Sequence, residues 1–222
     1  MNNAPAPPPR RLVRHVHITG TVTCLSGLHI GAGKDDIEIG GNDNPIIRDP
    51  VSGLPYLPGS SLKGKMRAML ELRDGHYKPN NGAPEGDARR DCLICRVFGP
   101  HMRPQHGLGP SRIIVRDGFV TPESRALLES LRLEQEFVAE IKSETMVSRT
   151  TGIAATGTLR TQERVPAGTT FTLDISVRIF DDDSAQAMLD LVQDGLRLIQ
   201  DDALGAGGSR GSGRVAFEYT VN

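Results

Sequence analysis

The chain has 222 residues, enough for one domain or one domain with insertions, and its 37% hydrophobic content suffices for a core. A net charge of −1 argues against a uniformly basic, nonspecific nucleic-acid binder, so any RNA-binding charge must gather on one face. The lack of tryptophan, with only 4% aromatics, argues against a site dominated by base stacking. No run of about 20 apolar residues suggests a membrane span. Three cysteines do not form a disulfide framework and no secretory signal precedes them, which points to a reducing, cytoplasmic compartment.

Residues 1–11 (MNNAPAPPPRR) are Pro-rich and polar and are expected to be a disordered arm. Alternation with β-branched Val13, Val16, Ile18 and Val22 predicts a long strand over Leu12–Leu25. Residues 26–59, crowded with Gly, Asp, Asn and Pro, predict a long loop of the kind that is usually functional. Leu62, Met66, Met69 and Leu70 form one apolar face of a helix expected over Ser60–Leu72, with Gly59, Ser60 and Ser61 as cap candidates. Residues 73–91 are polar and without periodicity. Ser111–Arg116 reads as a strand and Pro122–Leu131 as a short helix. Phe137–Arg164 reads as extended, with a hairpin through Gly152–Gly157. Thr169–Phe180 is expected as a strand, and Ser184–Gln200 as a helix burying Met188, Leu191, Val192 and Ile199. A glycine-rich loop, Ala203–Gly213, precedes a last strand, Arg214–Val221. This order fits an α+β, ferredoxin-like (RRM-like) core over 12–222 with insertions at about 73–110 and about 145–165.

Several segments carry candidate chemistry. In Pro58-Gly59-Ser60-Ser61-Leu62-Lys63-Gly64-Lys65-Met66-Arg67, a helix N-terminus offers free N–H groups and a positive dipole end. Ser60, Ser61, Lys63, Lys65 and Arg67 around it make a phosphate clamp, although an ordinary capped helix with solvated lysines fits the same pattern. The glycines of Ala203–Arg214, including Gly208 and Gly211 beside Ser209, let backbone approach a ligand, and Arg210 and Arg214 add charge. A flexible surface loop is the alternative there. Asp35, Asp36, Glu38 and Asp43 in a glycine-rich loop suit Mg²⁺ or a general base, or else a solvated loop with Asx-turns at Asn42–Asn44. Cys92 and Cys95 make half of a zinc site that His76, His101 or His106 could complete, and zinc would order a polar insertion. Two free thiols packed beside Val97 and Phe98 fit equally well. His29, just past the first strand, suits proton transfer, phosphate contact or a structural hydrogen bond to backbone.

Taken together, Gly27-Leu28-His29-Ile30-Gly31, Asp43-Asn44-Pro45, Arg48-Asp49-Pro50, Leu54–Arg67, Cys95-Arg96-Val97-Phe98-Gly99, Gly157-Thr158-Leu159-Arg160, Glu163–Gly168 and the terminal glycine loop with Arg210 resemble the backbone subunit of type III-A (Csm-type) CRISPR effector complexes, in the RAMP superfamily. The resemblance runs from about Leu12 to the C-terminus and leaves out the Pro-rich arm. It implies an RRM-like palm with a β-hairpin thumb, and copies stacked as a filament along guide RNA with other effector subunits. It implies that the helix after Pro-Gly-Ser-Ser and the glycine loop grip the guide. The thumb should include Ile153–Arg160, with Arg149 and Arg164 near its base, and should kink guide and target at intervals. The aspartate that matches the family's cleaving position is Asp43, acting on complementary target RNA with Mg²⁺. The resemblance also implies zinc in the insertion of some members. Here it would rest on Cys92, Cys95 and a histidine, of which His76 is favoured, since Cys24 lies inside the first strand. The alternative is a backbone subunit of the same kind that binds RNA without cutting it. A RAMP enzyme that processes the guide precursor would need histidine chemistry of which no set is evident.

Overall fold

The computed structural model describes residues 10–32, 44–76, 82–84, 86–104, 106–135 and 139–222, with the side chains of 132–135 left aside. The long first strand, β1 (Leu12–Cys24), alternates as its sequence does: Val16, Ile18, Val22 and Cys24 are buried, while His15 and His17 face solvent. It lies at the centre of an antiparallel sheet whose other strands are β3 (Ile113–Val115), β7 (Thr170–Phe180) and β8 (Val215–Val221), in the order β3-β7-β1-β8. Together with the two long helices this is the ferredoxin-like arrangement, in which the first and third core strands are central neighbours. Helices α1 (Gly59–Arg73) and α4 (Ala185–Asp201) pack on each other and close the core with Leu62, Met66 and Leu70 against Met188, Leu191, Val192, Leu196 and Ile199. Gly195 marks their close approach, since a Cβ there would stand 2.3 Å from Met66 Cγ.

Short strands β2 (Tyr56–Leu57) and β4 (Gly118–Phe119) pair beside the start of α1, with the Tyr56 and Phe119 rings stacked at 6.1 Å. Helix α3 (Pro122–Gln135) runs past the expected Leu131. The hairpin of β5 (Glu140–Glu144) and β6 (Arg160–Arg164) follows, so the thumb is inserted ahead of β7.

The insertion before β3 does have a core. Helix α2 (Leu93–Phe98), not foreseen in the sequence, buries Ile94, Cys95, Val97 and Phe98. Six residues are too few for a helical period to declare itself. The insertion is also fixed electrostatically. Arg112, fully buried, donates from Nε and a terminal nitrogen to both carboxylate oxygens of buried Asp183 at 2.8 and 3.0 Å, and lies 4.6 Å from the centre of the Phe180 ring. Arg96 of α2 reaches Asp183 at 3.0 Å. Arg10 donates to Asp182 at 2.7 Å and to the Gly107 carbonyl at 2.7 Å, and Arg11 exchanges backbone and side-chain bonds with Asp181. Arg10 and Arg11, assigned to the arm, are therefore held in place, and residues 1–9 lie outside the described residues. Among the described residues, no helix is long and apolar enough to cross a membrane.

Candidate nucleic-acid interface and metal centre

At the far end of the sheet, three loops meet. The glycine loop folds back on the segment after β1: the Ala206 N–H donates to the His29 carbonyl at 2.9 Å and the Gly213 N–H to the Gly27 carbonyl at 2.9 Å. Gly205 must be glycine, because its φ is +73° and a Cβ would lie 2.2 Å from the His29 carbonyl oxygen. Gly208, Ser209 and Arg210 make a single 3₁₀ turn ending at Gly211, all four exposed. His29 is buried, and its Nδ1 donates to the Glu163 carbonyl at 2.7 Å, the structural use that the sequence had left open.

The hairpin docks on this loop. Arg164, at its base, lies across Gly27 and donates to Ser212 Oγ at 3.2 Å and to Glu140. Arg210 Nε approaches Glu144 Oε2 at 2.9 Å, and Arg160 reaches the same oxygen at 3.0 Å. The Lys142 ammonium donates to the Arg210 carbonyl at 2.6 Å. Although burial pushes the Glu144 carboxyl up, hydrogen bonds from Arg160 and Arg210 outweigh it and hold it below the usual range. Arg149 is not near the thumb's base. It sits in the distal turn, where the Gly152 N–H donates to the Ser148 carbonyl at 2.9 Å, because strand pairing begins at Glu140–Arg164 and Val147 still bridges Ala154. Met146, Val147, Ile153 and Leu159 are exposed on the same distal part.

The start of α1 is less open than the sequence implied. The Gly59 N–H donates to Asp117 Oδ1 at 2.7 Å, so one of the helix's free donors already meets a carboxylate. Ser60 is exposed and Ser61 half-buried. Arg67 is committed inward, donating to Glu71 at 2.7 Å and to the Gly99 carbonyl at 2.8 Å, and Lys65 pairs with Asp202 of the α4 cap. Lys63 differs: no acid pairs with it among the described residues, and burial, then repulsion from Arg67 and Arg178, lowers its pKa.

Asp43, with Asp35, Asp36 and Glu38, lies outside the described residues. The segment that follows it is held by the thumb. The Glu163 N–H donates to the Asn44 carbonyl at 3.0 Å, and Glu163 Oε2 accepts from the Ile46 N–H at 3.0 Å and from Arg48 at 3.2 Å. Further along, Asp49 Oδ2 takes both the N–H and the hydroxyl of Ser52, and the side-chain bond lowers its pKa. Residue types assigned no role to Glu144, and Glu163 entered only as part of a family motif. Their roles follow from cross-strand and loop register, such as Glu144 opposite Arg160, which residue types alone do not reveal.

A second cluster lies in the insertion. Ligand atoms of His76, Asp87 and Cys92 all fall within 4.8 Å of one another, and Cys95 Sγ donates to Asp87 Oδ1 at 3.3 Å. Both thiols are buried and form no disulfide, and burial, then the Cys92 contact, pushes Cys95 up to about 12. One imidazole, one carboxylate and one sulfur are donor types that zinc accepts, and Cys95, outside this group, adjoins it through Asp87. Asp87 was not among the expected ligands. His101 and His106 do not join the group, and Cys24, pushed to about 12 by burial, lies in β1.

The family model of the RAMP superfamily matches residues 21–216. A protein of Methanothermobacter thermautotrophicus named CRISPR system Cms endoribonuclease Csm3 is 45% identical, over 94% of this chain and 85% of its own. The protein of the same name from Mycobacterium tuberculosis is 34% identical, over 91% and 86%. Among solved structures, a chain of the Csm3–Csm4 subcomplex of the type III-A CRISPR-Cas interference complex superposes with a TM-score of 0.60 at 29% identity, covering 95% of this chain and 80% of that one. Methanopyrus kandleri Csm3 gives 0.62 at 26% identity, over 92% and 75%.

Proposed function

This chain belongs to the RAMP superfamily and, within it, to the Csm3 family, and from that premise we propose that it is the backbone endoribonuclease of a type III CRISPR interference complex. Copies of it line up along a guide RNA in the cytoplasm, with other complex subunits, and cleave the complementary target RNA at regular intervals through Asp43. The observation that carries this reading is the anchoring of residues 44–48 on Glu163 of the hairpin. The segment adjoining Asp43 is thereby tied to the thumb, the element proposed to kink the RNA.

The kink splays one target nucleotide and lines its 2′-hydroxyl up with the adjacent phosphate. Asp43 takes the hydroxyl proton, or would hold a Mg²⁺ beside it. The O2′–P bond forms as the P–O5′ bond breaks, and the leaving oxygen gains a proton. Mg²⁺ would stabilise charge on the scissile phosphate. DNA lacks the 2′-hydroxyl and stays intact. The guide is held through backbone phosphates by the glycine loop, Lys63 and the hairpin arginines, so sequence is read by base pairing. Zn²⁺ would be held by His76, Asp87 and Cys92, with Cys95 as fourth donor, and would brace the insertion against α1 and α2.

The test is a complex reconstituted with guide, labelled complementary RNA and Mg²⁺, comparing wild type with Asp43→Ala on a denaturing gel. Regularly spaced cuts that vanish in the variant, with target binding unchanged, support the reading. Cuts that persist remove Asp43 from the mechanism, and tight binding without cuts in either protein leaves a purely structural backbone.

A further inference from the structure

Glu144 is surrounded by cations in an uneven way. One of its oxygens, Oε2, receives both Arg160, at 3.0 Å, and Arg210, at 2.9 Å. The other, Oε1, is buried and, among the described residues, has no hydrogen-bond partner and only the Lys142 ammonium nearby, at 3.6 Å. Glu144 itself is 10% exposed, while Arg160 and Arg210 are 60% and 50% exposed. The guanidinium groups are therefore open to solvent while the carboxylate they share is largely covered.

Two guanidinium groups and an ammonium converging on one anion is the arrangement that recognises a phosphodiester. We propose that Lys142, Arg160 and Arg210 form the site for one backbone phosphate of RNA, and that Glu144 occupies this site until the RNA displaces it. The proposal rests on the guide-RNA reading above and names the part of the interface that must rearrange. Three features support it. The three cations outnumber the carboxylate, leaving a local positive excess in a chain of net charge −1. Displacement returns the unpartnered Oε1 to water, which offsets the loss of the arginine bonds. Glu144 is also dispensable as a tether, because Lys142 on the Arg210 carbonyl and Arg164 on Ser212 already join the hairpin to the glycine loop.

The measurement is the anisotropy of a fluorescently labelled single-stranded RNA titrated with the purified full-length chain, comparing wild type, Glu144→Gln, Arg160→Gln/Arg210→Gln and the triple variant. Circular dichroism and the thermal midpoint check that each variant is folded. Glu144→Gln is expected to bind about three to ten times more tightly at low salt, since one phosphate mimic is neutralised. That gain is expected to disappear when Glu144→Gln is added to the double-arginine background. Wild-type binding that Glu144→Gln leaves unchanged or weakens overturns this proposal alone. A gain that survives loss of both arginines also overturns it, by showing a general charge effect. Absence of RNA binding in every variant overturns the guide-RNA reading and this proposal with it.

Discussion

The two ends of the β1–β7 pair carry the same chemistry and use it oppositely. Register puts Leu12 and Phe180 at one end, and Thr23 and Thr170 at the other. At the Phe180 end, Arg112 and Asp183 are both sealed from solvent, and each guanidinium or carboxylate position is filled from within the chain. At the Thr170 end, Glu144 is mostly covered but its arginines are open. A buried pair locks, because separating it strands a charge where water cannot reach. A half-open pair can exchange partners, because an incoming anion can take over the arginines without disturbing a core. The locked end also holds α2 through Arg96, and so the wall on which Cys92 and Cys95 sit. The open end holds the segments proposed to meet RNA.

The largest expected effect is at the locked end. Arg112→Met strips Asp183 of its two-point partner, leaving it with Arg96, and should cost about 3–5 kcal/mol in chemical denaturation. A loss below about 1 kcal/mol would erase the distinction between the two ends. Asp183 adds a pH signature. Burial raises its carboxyl, but bonds from Arg112, the Phe180 N–H and Arg96 outweigh that and the net shift is downward. Its contribution is therefore complete above the unfolded value of about 3.9 and fades as pH falls through the lower folded value. Asp183→Asn should flatten the acid limb of the stability curve in that window.

Metal comes next. With free zinc a hundredfold above its dissociation constant, chelation should lower stability by about 2.7 kcal/mol. Asp87→Ala should abolish the difference, and elemental analysis of the purified chain should show zinc lost with it. At the open end, Glu163→Ala should slow guided cleavage by about tenfold or more through misplacement of the Asp43 segment, with target binding unchanged in the same assay. If binding falls in parallel with cleavage, Glu163 supports the interface as a whole and not the cutting loop. The smallest effect belongs to Arg160→Ala, which should change unfolding free energy by less than about 1 kcal/mol, as exposed pairs do.

Much of the scaffold was legible from residue order. The β1 alternation, the α1 and α4 stripes and the final strand came within a few residues of their observed bounds, because each buries one face of a long periodic element. Helix α2 was not legible, being too short to show a period. Neither was the Arg112–Asp183 pair, whose partners are far apart in the chain, with nothing local to link them.

The same division holds for the candidate site. Residue types nominated Arg67 and Arg210 as phosphate-contacting cations and His76, Cys92 and Cys95 as candidate metal ligands, and the family resemblance added Arg160 and Arg164. Motif order along the chain also determined the family, because several spaced motifs are each readable without a fold. Only the tertiary structure decided that Arg67 faces Glu71 and Gly99, that Arg160 and Arg210 share Glu144, and that Asp87 stands beside His76 and Cys92. The reason is physical: a side chain's type is local, but its partner and its exposure to water are set by strands and loops that meet only when the chain folds.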